Sequence, residues 1–153
     1  MGLRVQSIHG ELCAACPSRA ELSPLHADCS DIPDIAPILA LTCTRAKGRS
    51  ALRGVKRLAV TESDRLQGTV ELLQRLGAQA EISPDGNTLF VTGPATLRGG
   101  FEADALGDHR RVMLLAVAAL HADGPITVHG AEARNKSWPG FLADYQALGG
   151  KLS

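Results

Sequence analysis

Apolar residues recur along this chain at two spacings, and the change from one to the other marks out its elements. Leu66, Val70, Leu73 and Leu76 stand at i, i+4, i+7 and i+10, which predicts a helix closed by Gly77. Ser63 or Thr61 is its expected cap. Before it, Pro33 begins a helix that Ser30 or Asp31 can cap, with Asp34 at the end of the dipole that favours an acid. Ile35, Ile38, Leu39 and Thr42 form its expected inward side, and Lys47-Gly48 ends it. Residues 50–52 and 58–60 read as short strands. Residues 80–82 and 88–91 flank Pro84-Asp85-Gly86-Asn87, a hairpin turn. After a glycine-rich connection at Gly99-Gly100, Asp108 opens an apolar helix to Ala122, and its shortage of polar positions assigns it to the centre of the fold. Residues 126–128 form a strand. Ser137 then caps a last helix with Phe141, Leu142, Tyr145 and Leu148 inward, before Gly149-Gly150. In the first 30 residues, 3–8 reads as a strand, and Cys16-Pro17-Ser18 and Ser23-Pro24 divide the rest into loops and short strands.

Helix, glycine stop, strand and turn recur, and Leu76-Gly77-Ala78 is echoed by Leu148-Gly149-Gly150. This predicts an α/β domain of similar units with buried helices behind a sheet. The expected division is an irregular, strand-rich lead-in over 1–30 and a domain over 31–153. At 153 residues, 44% hydrophobic and 21% charged, the chain suits one globular domain. Lysine plus arginine equals aspartate plus glutamate at 16 each, and aromatic residues are 3%, which argues against nucleic acid as a partner. The longest apolar run, 112–120, is too short to span a bilayer, so no membrane role is expected and the cytoplasm is the default location. Cys13-Ala-Ala-Cys16 has metal-ligand spacing, but Cys29 and Cys43 do not form a second tight pair, so we expect reduced thiols and no metal.

Charge changes the picture at the helix starts. Arg65 follows Ser63 in a first turn, His109 and Arg110 follow Asp108, and Lys136 precedes Ser137. Helix amino termini carry unpaired N–H groups that attract phosphates and carboxylates. Arginine can grip such an anion with two parallel hydrogen bonds, and lysine adds a mobile charge. Asp34 and Glu62 could supply acid/base groups to the same ligand. The competing reading has Arg65 in a local, solvated cluster with Glu62 or Asp64, Asp108 only as a cap, and His109 on the surface.

Asp31-Ile32-Pro33-Asp34, Glu62-Ser63-Asp64-Arg65, Asp108-His109-Arg110 and Lys136-Ser137-Trp138-Pro139-Gly140-Phe141 stand in the order seen in the 5-enolpyruvylshikimate-3-phosphate synthase (3-phosphoshikimate 1-carboxyvinyltransferase) family. From about residue 28 onward the chain resembles the carboxyl-terminal part of that family. The resemblance implies an incomplete domain of repeated βαβαββ units, about two of three. It implies transfer of enolpyruvyl from phosphoenolpyruvate to shikimate 3-phosphate, in chorismate and aromatic amino acid biosynthesis, with no cofactor. Asp34 matches the carboxylate that helps deprotonate the shikimate hydroxyl, and Glu62 the residue that exchanges a proton with the methylene carbon. Arg65, Arg110 and Lys136 match the grip on phosphoenolpyruvate, and His109 matches a residue that orients the acid/base group. Two departures stand out. Thr61 replaces the family's lysine and Ala59 replaces a common arginine. The other domain, with more substrate-binding groups, is missing, so the chain is expected to be inactive alone. The alternatives are a non-catalytic anion-binding or structural remnant, or half of a split enzyme that needs a partner chain.

Overall fold

A computed structural model describes residues 1, 4–15, 22–61 and 63–152. Strands β1 (Arg4–Ile8) and β2 (Glu11–Ala15) form an antiparallel hairpin. His9 and Gly10 both have positive φ, the geometry of a two-residue turn whose twist matches the strands it joins. Next come β3 (His26–Asp28), α1 (Ala36–Cys43), β4 (Gly48–Arg53), α2 (Arg65–Arg75), β5 (Gln79–Ile82) and β6 (Thr88–Gly93), a βαβαββ unit. Its sheet has the order β3-β4-β6-β5, with β3 parallel to β4 and β6 antiparallel to both β4 and β5. A second unit begins with β7 (Phe101–Asp104), α3 (His109–Ala119), β8 (Ile126–His129) and α4 (Phe141–Ala147), with β7 and β8 parallel. The architecture is the mixed α/β one expected, and the domain is incomplete.

One core joins the units. Leu66, Val70, Leu73 and Leu76 on or ending α2 are buried beside Leu52 and Val91 of the sheet and Leu114, Leu115 and Ala118 of α3. The helical periodicity of α2 therefore described its inward face. Asp108 caps α3 as expected, accepting from the Arg110 N–H. That helix is less central than its composition suggested, since Leu120 at its end is half exposed.

The structure corrects several expectations. The first helix does not run unbroken from Pro33. A 3-10 turn at Pro33–Ile35 comes first, so that Pro37, which has no N–H to donate, falls in the first turn of α1. Neither Ser30 nor Asp31 caps it, and its buried side is Ala36, Pro37, Ala40, Leu41 and Cys43, while Ile35 and Ile38 are exposed. Small residues are needed there because α1 ends against β6: a Cβ on Gly93 would stand 2.5–2.9 Å from the carbonyl oxygens of Cys43, Thr44 and Ala46. Residues 58–60 are not a strand but part of a 3-10 turn, Lys56–Val60, which buries Leu58 and leaves Val60 exposed. Asp64, rather than Ser63 or Thr61, caps α2 by accepting from the Gln67 N–H. Ser137 does not cap α4 but ends the 3-10 turn Ala131–Lys136, and α4 starts after Gly140. Phe141 and Tyr145 face inward on α4, but Leu148 is exposed.

Cys29 and Cys43 are fully buried and Cys13 is exposed, all three as free thiols. Burial raises the pKa of both buried thiols; Asp28 adds to this at Cys29, and a hydrogen bond with Ser50 partly opposes it at Cys43. A thiolate is the reacting species, so alkylation at pH 8 should label Cys13 in the folded chain and reach Cys29 and Cys43 only on unfolding. Peptide mass spectrometry with and without urea checks this. The partner in the Cys13–Cys16 spacing, Cys16, lies outside the described residues.

Candidate functional site

Each of the four parallel-type strands, β3, β4, β7 and β8, hands over to a helix through a loop at its carboxyl end, and these four loops carry the charged clusters. Asp34 lies between β3 and α1. Arg65 is the first residue of α2, His109 and Arg110 open α3, and Lys136 lies between β8 and α4. Open α/β sheets place ligand sites at the carboxyl ends of their strands.

The side chains meet across these loops. Arg65 is buried, and its guanidinium forks onto the fully buried Asp108, with Nε donating to Oδ2 at 2.6 Å and Nη2 to Oδ1 at 3.2 Å. Its remaining nitrogen, Nη1, donates to Asp34 Oδ1 at 3.0 Å. Arg110 Nη2 donates to the other oxygen of the same carboxylate at 2.9 Å. Ser63 Oγ donates to Asp108 Oδ2 at 2.9 Å, so the residue expected to cap α2 instead supports its counter-ion. Lys136 Nζ donates to the Gly107 carbonyl at 2.8 Å. His109 is half-buried between Asp108 and Arg110. Asp34, Arg65 and Arg110 are thus brought together with Asp108, while the contact of Lys136 is with the Gly107 backbone. Glu62 lies outside the described residues.

Burial alone would raise the Asp108 carboxyl. Hydrogen bonds from Arg65, Ser63 and the Arg110 N–H, with the Arg65 charge, outweigh it and hold the group below the usual carboxylate range. Asp108 is therefore an anion at neutral pH and fixes Arg65 in one orientation. Sequence reading assigned it only as a cap, because its ion partner is 43 residues away. Of the two local partners in the competing reading, Asp64 caps α2 and Glu62 lies outside the described residues.

Arg65, Thr69, Asp108, Arg110 and Arg111 line a small cleft of about 20 Å³ where α2 meets α3. Gly68 makes room there, since a Cβ on it would lie 2.7 Å from Arg111 Nη1. Arg111 in turn donates from Nε to the Asp104 carbonyl. At Thr61 the hydroxyl donates to the Ser63 carbonyl at 2.9 Å, with the Leu58 carbonyl also in reach at 3.2 Å, so it ties down its own loop and supplies no charge to the site. Among the described residues no three His, Cys, Asp or Glu side chains are grouped to hold a metal, and no described helix is long and apolar enough to cross a membrane.

Known proteins resemble this chain over nearly its whole length. A family model described as EPSP synthase (3-phosphoshikimate 1-carboxyvinyltransferase) matches residues 1–144. The 3-phosphoshikimate 1-carboxyvinyltransferase of Methanocorpusculum labreanum is 41% identical over 134 residues, which is 88% of this chain and 31% of that protein. The protein of the same name from Aeropyrum pernix is 40% identical over 152 residues, 99% of this chain and 34% of its own length. Among solved structures, EPSP synthase from Acinetobacter baumannii superposes with a TM-score of 0.74 at 28% identity, covering 96% of this chain and 35% of its own. The enolpyruvyl transferase NikO from Streptomyces tendae shares the fold, with a TM-score of 0.78 at 24% identity over 99% of this chain and 33% of its own. The chain spans about a third of the length of the relatives it matches.

Proposed function

This chain belongs to the EPSP synthase (3-phosphoshikimate 1-carboxyvinyltransferase) family, a family of transferases in aromatic amino acid biosynthesis, and we propose that it carries the phosphoenolpyruvate-binding half of such an active site. The observation that supports this reading most is the double hold on Asp34, by Arg65 and Arg110, beside a buried anion that fixes Arg65. Two oriented guanidiniums suit a small ligand with a carboxylate and a phosphate. On this reading residues 1–30 are a lead-in, which also contributes the edge strand β3, and a partial domain runs from 31 onward.

In the proposed reaction the shikimate 3-phosphate hydroxyl attacks the substituted vinyl carbon of phosphoenolpyruvate, and the methylene carbon takes a proton. The methyl group so formed then gives a proton back as phosphate leaves, which restores the double bond. Asp34 accepts the hydroxyl proton, and Glu62 is the group that exchanges the methylene proton. Arg65, Arg110 and Lys136 hold the phosphoenolpyruvate anion where negative charge gathers on the departing phosphate. His109 orients the acid/base group. Closure and exclusion of water require the polypeptide that the longer relatives have and these residues do not include. Catalysis is therefore assigned to the completed protein or to an assembly with a partner chain.

Trp138 is the only tryptophan and stands two residues beyond Lys136, which provides an optical probe. Phosphoenolpyruvate should change its emission saturably at millimolar concentration or below, with matching heat in calorimetry. Replacing Arg110 with alanine should weaken binding by about 10- to 100-fold, the equivalent of one charge-assisted hydrogen bond. No signal and no heat at millimolar ligand would sink the half-site, and turnover by the purified chain alone would sink its assignment as incomplete.

Thr61 favours a second reading, a non-catalytic anion-binding remnant, because its hydroxyl serves only local backbone. Thr61→Lys separates the two. A retained half-site should bind phosphoenolpyruvate and shikimate 3-phosphate about tenfold more tightly with the added charge. A remnant should not respond.

A further inference from the structure

A glycine inside a helix needs a reason, because it costs backbone entropy that alanine does not. Gly68 lies one turn into α2, and its reason is Arg111, which reaches across from α3. A Cβ on Gly68 would stand 2.7 Å from Arg111 Nη1. The far end of an arginine ordinarily swings away from such a clash. This one is pinned, because its Nε donates to the Asp104 carbonyl at 2.7 Å. The guanidinium is therefore held between the backbone of α2 and the last residue of β7. Its charge does not explain its place. Burial works against the charged form, and the carboxylates of Glu71, Asp104 and Asp108 only partly offset this. Among the described residues no carboxylate is paired with it. What remains is the bond to Asp104.

That bond closes the loop from β7 to α3. The loop carries Asp108, the buried anion that orients Arg65, and Gly107, whose carbonyl takes Lys136. It is not a relaxed segment. Leu106 has a φ of +53°, a left-handed conformation that a bulky side chain rarely adopts. Its N–H donates to Asp104 Oδ1 at 2.7 Å, and the Asp108 N–H donates to the Ala105 carbonyl at 2.9 Å. A strained backbone persists only where its surroundings over-determine it. Asp104 meets that need twice, with its carboxylate on Leu106 and its carbonyl on Arg111.

We infer that Arg111 is a positioning residue for the anion grip: it clamps the β7–α3 loop against α2, and so sets the place of Asp108 and, through it, the orientation of Arg65. Asp104 is the loop's end of the clamp, and Gly68 is its seat on α2. The inference rests on the half-site reading for its effect on a ligand, but the placement of Asp108 and Arg65 can be measured with no ligand present.

Hydrogen exchange followed by NMR on the whole chain tests it, read at backbone amides and at the Arg65 Nε–H. Arg111→Met keeps an apolar stem over α2 and removes the bond to Asp104. The amides of Leu106, Asp108 and Arg110 and the Arg65 Nε–H should then exchange at least about tenfold faster, with Leu72 and Leu73 within about twofold of wild type. Gly68→Ala should loosen the same groups while Arg111 is present, and should add nothing once it is methionine. Unchanged loop amides in Arg111→Met would overturn the inference. So would equal acceleration at Leu72 and Leu73, which marks a general loss of packing. A Gly68→Ala chain with a steadier α2 and an unchanged loop, the ordinary effect of alanine in a helix, would overturn it too. Phosphoenolpyruvate titration tells this inference from the half-site reading. Arg111→Met should bind about tenfold more weakly than wild type. Equal affinity alongside a loosened loop would show that the clamp does not serve the grip. A wild-type chain that binds none removes the half-site, and the exchange rates alone then decide the role of Arg111.

Discussion

Replacing Arg65 with methionine is expected to lower folding stability by about 3–5 kcal/mol, the usual cost of stripping one partner from a buried ion pair. Solvent screening gives little relief here. The Arg65 side chain is 8% exposed and that of Asp108 is fully buried. Ser63 and the Arg110 N–H would still bond the stranded carboxylate, which places the effect toward the lower end of that range. Urea unfolding monitored by circular dichroism measures it, and a loss below about 1 kcal/mol would show that Asp108 is not held by this pair. Asp108→Asn on the same background should recover much of the loss, because it removes the stranded charge.

The pH dependence has a definite sign. Asp108 is held below its ordinary range in the folded chain, so its contribution is complete above the unfolded carboxylate value and is lost as pH falls through the lower, folded value. The deficit of the Arg65→Met variant should therefore be largest near neutral pH and shrink in acid as Asp108 takes up a proton. A deficit that does not vary between pH 7 and acid would mean that the arginine acts through packing alone.

The second large effect belongs to Leu73, in the last turn of α2 and fully buried. Leu73→Ala should cost about 2–5 kcal/mol, the transfer energy of the deleted atoms plus the cavity left behind. Its consequence reaches the site, because the same helix begins at Arg65. Loosening that apolar stripe should raise hydrogen exchange along α2 and weaken anion binding together. A loss of stability below about 1 kcal/mol would mean that α2 is anchored elsewhere.

How much of this was legible in the sequence can be judged element by element. Helix α2 was, because its leucines and valine repeat at helical spacing and every one of them is buried. The β5–β6 hairpin was, because Asp85-Gly86-Asn87 is strong turn chemistry. Helix α1 was misjudged on its inward face. Its large residues Ile35 and Ile38 look like core, but close approach of the helix end to Gly93 selects the small ones, a tertiary demand with no local signature. Strand β7 was missed because Phe101-Glu102-Ala103-Asp104 buries only Ala103 deeply, too little for an alternating pattern to show. At the site, position and type singled out Asp34, Arg65 and Arg110, whose side chains meet in the structure. The role of Asp108 was not legible, since a cap and a buried counter-ion read identically until the partner helix is in place.

The two arginines that share Asp34 give the site an occupant before any ligand arrives. Asp34 is a resident anion, half exposed at the mouth of the cluster, and an incoming carboxylate or phosphate must displace it rather than fill an empty cationic hole. Arg65 and Arg110 are therefore already desolvated on one side and oriented, so little reorganisation remains to oppose binding. Because the exchange swaps one negative group for another, few counter-ions are released. If the proposed half-site holds, phosphoenolpyruvate affinity should fall only weakly between low and physiological salt, unlike that of a bare basic patch.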